Sequence, residues 1–136
     1  MLFLIVSVEL ARYLSASGTE RGAVIRLLEV QGEGDVAGVL DLLDGCAEDP
    51  ACAQQVRDNV MKLSAKGRPK ILLLQSGSAY RLTTTTGLTR VVWADLDDNG
   101  PTYVQCVLVR KKWSLVGGAD VSLRAIGPRI GNEASC

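Results

Sequence analysis

Histidine is missing altogether from the 136 residues. With it go the commonest general base, the commonest metal ligand and the one side chain that titrates near neutrality without a perturbing environment. Net charge is missing too. Fifteen Lys and Arg balance fifteen Asp and Glu, which leaves no overall field to draw DNA, RNA or an anionic bilayer. No G-x-S-x-G, P-loop or G-x-G-x-x-G opens a helix after a strand, and the Gly32-x-Gly34 pair closes one instead. Asp41 and Asp44 fall opposite the apolar stripe of a predicted helix, where a solvated face explains them. These absences predict a chain that is not an enzyme, and they identify no small-molecule substrate. There is no internal repeat, low-complexity run or N-x-[ST] sequon. What is present suits one folded domain: a hydrophobic share of 47% and a charged share of 22% can build a core.

Four cysteines fall as Cys46 with Cys52 and Cys106 with Cys136. The spacing is wrong for a zinc ribbon, no histidine can complete a mixed site, and a catalytic cysteine would lack its usual base. Disulfides are the expectation, and they persist outside the reducing cytosol. Three connectivities exist on paper. The sequential one is favoured because Glu48-Asp49-Pro50 turns the chain between Cys46 and Cys52, while Cys136 needs something to hold it. The competing reading is four free thiols in a cytosolic scaffold.

Met1 to Val8 is almost wholly apolar, yet as helix it spans only about 12 Å of a ~30 Å hydrocarbon layer. It cannot cross a membrane alone, and no basic residue precedes it as in a signal peptide. Either it is the tail of a longer hydrophobic helix or it packs on the core. Leu10 and Leu14 extend the stripe, and Glu9 can pair with Arg12 or meet Tyr13 on one face. The helix is predicted to reach Gln31-Gly32-Glu33-Gly34, with Ser17-Gly18 as the place where it would break. Asp35 then caps a second helix with Val36, Val39, Leu40 and Leu43 inward, and Asp49-Pro50 opens a third with Val56, Val60 and Leu63 inward.

After Pro69 the pattern alternates. Strands are predicted at 71–75, 80–86, 88–94, 102–113 and 119–126, with Val91 and Trp93 on one face and Val121, Leu123 and Ala125 alternating with Ser122 and Arg124. The fold class is therefore α+β: an N-terminal hydrophobic and amphipathic helix and further short helices packed on a C-terminal antiparallel meander. Residues 1–33 form the first helix and 34–136 the head of a single domain.

Two segments carry a family resemblance. Val8-Glu9-Leu10-Ala11-Arg12-Tyr13-Leu14 followed by Thr19-Glu20-Arg21-Gly22-Ala23 resembles the E-(F/L)-(G/A)-R and R-E-G-A stretches of TadE-like pilus-assembly proteins. The stretch from Ser114 to Ala125 looks like the closing hairpin of that family. The order of elements is similar to that of type IV pilins and pseudopilins. The resemblance implies a structural subunit or minor component of a bacterial surface filament, or of its assembly machinery, at the cell surface. Its partners would be itself or related pilin subunits, with the membrane holding the helix before assembly. The interface residues it implies are Leu2, Phe3, Ile5, Val6, Glu9, Leu10, Arg12, Tyr13 and Leu14. A rival from a different class is a soluble secreted or periplasmic binding module whose short apolar helix completes its own core.

Two further clusters bear on ligands. Asp95, Asp97 and Asn99 with Gly100 match the opening of a calcium loop. The twelfth position is Cys106 and Pro101 sits at the seventh, so an acidic hairpin turn is the first expectation and calcium the second. Arg110-Lys111-Lys112 beside Trp113 could meet nucleic acid. Strand alternation, however, sends Arg110 and Lys112 to one face and Lys111 to the other, so no continuous basic surface follows and nucleic acid is not an expected partner.

Overall fold

The computed structural model describes residues 2–64, 68–96 and 101–136, and for residues 9–17 the backbone alone. Helices α1 (Leu2–Gly32), α2 (Val36–Leu42) and α3 (Pro50–Leu63) precede strands β1 (Pro69–Gln75), β2 (Thr85–Asp95), β3 (Tyr103–Ser114) and β4 (Gly118–Ile126). The strands make one antiparallel sheet in chain order, so the fold is α+β, a meander with helices on one face.

Helix α1 does not break at Ser17-Gly18; it runs unbroken for 31 residues, about 46 Å at 1.5 Å per residue. The glycines after it act as expected. Gly34 takes φ +79°, and the amides of Gly34 and Asp35 bond back to the carbonyls of Gln31 and Val30, the double bond that closes a helix on a left-handed residue. Asp35 then caps α2 by accepting from the Gly38 amide. Asp49 caps α3 by accepting from the amides of Ala51 and Cys52, with Pro50 first in the helix.

The core lies between the helices and the near face of the sheet. Val24, Leu27, Leu28 and Val30 of α1 join Val39, Leu43, Val56, Val60 and Leu63, and meet Ile71, Val91, Trp93, Val107, Val109, Leu123 and Ile126. A buried amide pair stitches the layers: Gln31 and Gln105 each donate to the other at 3.1 Å, and the Trp93 indole donates to Gln105 at 3.0 Å.

Two strand expectations need correcting. Residues 80–84 are not strand. Ser76-Gly77-Ser78 folds back onto the start of β2 so closely that a Cβ on Gly77 would sit 1.9 Å from the Leu88 carbonyl oxygen, and one on Gly87 would sit 2.2 Å from that of Gly77. The loop then fills the ladder where β2 has not begun, with the Arg81 carbonyl accepting from the Trp113 amide at 2.6 Å. In β4 the pairing passes from Leu108↔Ala125 to Val109↔Leu123 and leaves Arg124 over. This bulge shifts the alternation, so Leu123 and Ile126 enter the core while Ala125 turns to the far face. On that far face the tail crosses the sheet. The Ile130 amide bonds Val104, Arg90 donates to the carbonyls of Asn132 and Ala134, and Cys136 joins Cys106.

Candidate functional site: an exposed helix end and its buried root

The burial of α1 changes along its length. From Glu20 onward, Glu20, Val24, Leu27, Leu28, Val30 and Gln31 are buried against the sheet and α2. At the other end Leu2, Phe3, Leu4, Ile5, Val6 and Val8 are 78%, 81%, 67%, 60%, 58% and 50% exposed. Leu2, Phe3, Ile5 and Val6, four of the expected interface residues, therefore lie open on one end of the helix. Glu9, Leu10, Arg12, Tyr13 and Leu14 have side chains outside those described. Among the described residues no helix is long and apolar enough to cross a membrane.

Where the helix enters the head stands a buried ion pair. Lys111 reaches from β3 toward α1 and places Nζ 2.5 Å from Glu20 Oε2, with the two side chains 3% and 2% exposed. Every charge-bearing atom is engaged. Lys111 also donates to the Ser78 carbonyl at 3.0 Å and lies 5.2 Å from the centre of the Tyr80 ring. The Glu20 carboxylate accepts from the Ser76 hydroxyl and from that of Thr89. Burial, and then the charge of Glu20, push the Tyr80 phenol up to about 12. The arrangement is a clasp. It joins α1, β2, β3 and the 76–84 loop at one point, beneath the place where the helix becomes exposed.

Sequence reading missed this pair, although its signal is there. Glu20 stands at i with Val24, Leu27 and Gln31 at i+4, i+7 and i+11, which places a carboxylate on the buried stripe of α1. Strand alternation puts Lys111 on the face shared with Val107 and Val109. Two opposite charges on two core-facing stripes call for each other.

Both expected disulfides form, Cys46–Cys52 with Cα atoms 5.2 Å apart and Cys106–Cys136 at 5.8 Å. The first pins the corner between α2 and α3, and the second fastens the tail to β3. They indicate an oxidising, extracytoplasmic environment. Asp95 ends β2, whereas Asp97 and Asn99 lie outside the described residues. Among the described residues no three Cys, Asp or Glu side chains gather as a metal site. In the basic run Lys111 is withdrawn into the core and Arg110 engages Asp44 and Ser122. No family model matches the chain, and neither a curated protein nor a solved structure matches it.

Proposed function

We propose that the chain is a pilin-like structural subunit, or a minor component, of a bacterial surface filament of the type IV or Tad class or of its assembly machinery, joined to its neighbours through the exposed end of α1. The observation that carries the reading is that end itself: six large apolar side chains from Leu2 to Val8 in water, on a helix whose other half is rooted in the core. Burying a Val, Leu, Ile or Phe side chain is worth roughly 1.5–3 kcal/mol, so the segment is driven toward another apolar surface. A membrane supplies that surface before assembly and sister subunits supply it afterwards. The TadE-like segments Val8–Leu14 and Thr19–Ala23 both fall on α1, and Ser114–Ala125 spans the turn between β3 and β4, which agrees with the resemblance. The disulfides suit a head kept outside the cell. A binding module that used its first helix to complete its own core would bury Leu2–Val8.

The test is the association state of the full chain, followed by sedimentation velocity and electron microscopy as detergent is removed. Concentration-dependent oligomers or filaments are expected from the wild type, and Phe3→Ser with Ile5→Ser should hold the chain monomeric. A wild-type chain that stays monomeric and detergent-free at high concentration refutes the reading.

A further inference from the structure

The sheet ends at β4, whose outer edge is covered at Leu123 only: Leu43 bridges Leu123 in parallel, and the Asp44 amide bonds the Leu123 carbonyl at 2.8 Å. Backbone groups along a strand point alternately to either side, and the pairing with β3 is regular from Gly118 to Leu123. The amides and carbonyls of Ala119 and Val121 therefore point outward as the Leu123 carbonyl does, and among the described residues none of them has a partner there. The opposite edge is blunted. There β1 carries a bulge between Ile71 and Leu73, and the Arg21 guanidinium donates to the Ile71 carbonyl at 3.1 Å. Along the open edge, between β4 and α1, lies a cleft of about 400 Å³ whose apolar lining includes Ala23, Leu42 and Val121. Its two arginines are already engaged, Arg110 with Asp44 at 3.5 Å and Ser122 at 3.1 Å, and Arg26 with Glu29 at 3.9 Å. Asp120 also lines the cleft; it is exposed and makes no ion pair among the described residues, Lys112 opposite it on β3 included.

We infer that β4 takes up an extended segment of a partner protein as a fifth, antiparallel strand, with a basic residue opposite Asp120 and an apolar residue on each side of it. The inference goes beyond the assembly reading and does not depend on it. Residues opposite Ala119 and Val121 would each exchange two backbone hydrogen bonds with β4. The residue between them would face Asp120 across a non-hydrogen-bonded pair, where side chains of neighbouring strands come closest. Charge selects the occupant. A second β4 pairing through Ala119 and Val121 on both strands would set Asp120 opposite Asp120, and like charges directly opposite destabilise a sheet. A lysine or arginine there supplies the missing countercharge. The flanking side chains, on the same face as Val121, turn toward Ala23 and Leu42, while the added backbone runs along the edge; the cleft has only side chains to hold.

The probe is an end-capped peptide, Thr-Val-Lys-Val-Thr, titrated into the full chain in detergent and followed by amide hydrogen exchange. On saturation the amides of Ala119 and Val121 should exchange at least tenfold more slowly, while that of Asp120, already turned into the sheet, should not change. Glutamate in place of the peptide's lysine should weaken binding at least tenfold. Asp120→Lys, a change at an exposed position, should reverse that preference. N-methylation of both valines removes the donors to β4 and should abolish binding. No saturable binding at millimolar peptide overturns the inference, and so does equal binding of the methylated peptide or protection confined to residues 69–75. The assembly reading is judged separately, by the detergent-free chain, and stands or falls without this result.

Discussion

Replacing Lys111 by methionine removes the cation from a site where it and Glu20 are 3% and 2% exposed. Removing one partner of a buried ion pair costs about 3–5 kcal/mol, because the other charge is stranded in low dielectric. Glu20 would keep the hydroxyls of Ser76 and Thr89, which puts Lys111→Met near the lower end, about 3 kcal/mol. Glu20→Gln removes the countercharge and leaves the ammonium with neutral partners alone, the new amide oxygen, the Ser78 carbonyl and the Tyr80 ring, and belongs nearer the upper end, about 4–5 kcal/mol. Either is a large part of the 5–15 kcal/mol typical of a domain and should lower Tm by on the order of 10–15 °C. The double variant Glu20→Leu with Lys111→Met behaves differently. No charge is stranded, although Ser76 and Thr89 lose their acceptor, so it should lie between wild-type stability and about 2 kcal/mol above it. Urea unfolding of the wild type, Lys111→Met, Glu20→Leu and the double variant, with disulfides intact, gives the coupling directly. Single variants costing less than about 1 kcal/mol, or a double variant costing the sum of the two, would refute the clasp.

Cys136→Ser opens a bridge spanning 30 residues and should cost about 3–4 kcal/mol in urea unfolding, against about 2 kcal/mol for Cys52→Ser, whose bridge spans 6. Alkylation of all four thiols without reductant would contradict both bridges. Tyr80 holds its proton to about 12 when folded, against 10.0 when free. Its contribution is complete below pH 10 and is lost as pH rises toward 12, so stability should fall over that window. An ultraviolet titration should show this tyrosine ionising later in the folded than in the unfolded protein; identical curves would dismiss the burial. Gly77→Ala must displace the Leu88 carbonyl and should destabilise by about 2–4 kcal/mol, with a change below 0.5 kcal/mol counting against the tight fold-back of the loop.

Local signals carried much of the fold. Asp35, Asp49-Pro50 and the glycines after Gln31 marked helix ends where the chain does begin and stop its helices, because capping is chemistry between near neighbours. The disulfide pairing was legible for a similar reason at Cys46 and Cys52, where six residues and a turn leave little choice. Long-range geometry was not legible. Residues 80–84 have strand composition, but Gly77 pressing on Leu88 decides their path, and nothing in the local pattern announces that contact. The Arg124 bulge likewise depends on how β4 registers against β3. Of the candidate site, the apolar end could be read directly from Leu2 to Val8. Its root could not be read from one element alone, since Glu20 and Lys111 lie 91 positions apart and acquire meaning only when α1 is laid on β3.

A continuous helix anchored at one end is a lever. From Glu20 to the tip of α1 is about 27 Å, so a tilt of only 10° at the anchor swings the tip by about 5 Å, close to the rise of one helical turn. Small repacking around Val24 and Leu27 is thereby magnified into a change in where the chain's far end reaches. In the proposed assembly, side chains that never touch a neighbour would in this way set how far one head stands from the next.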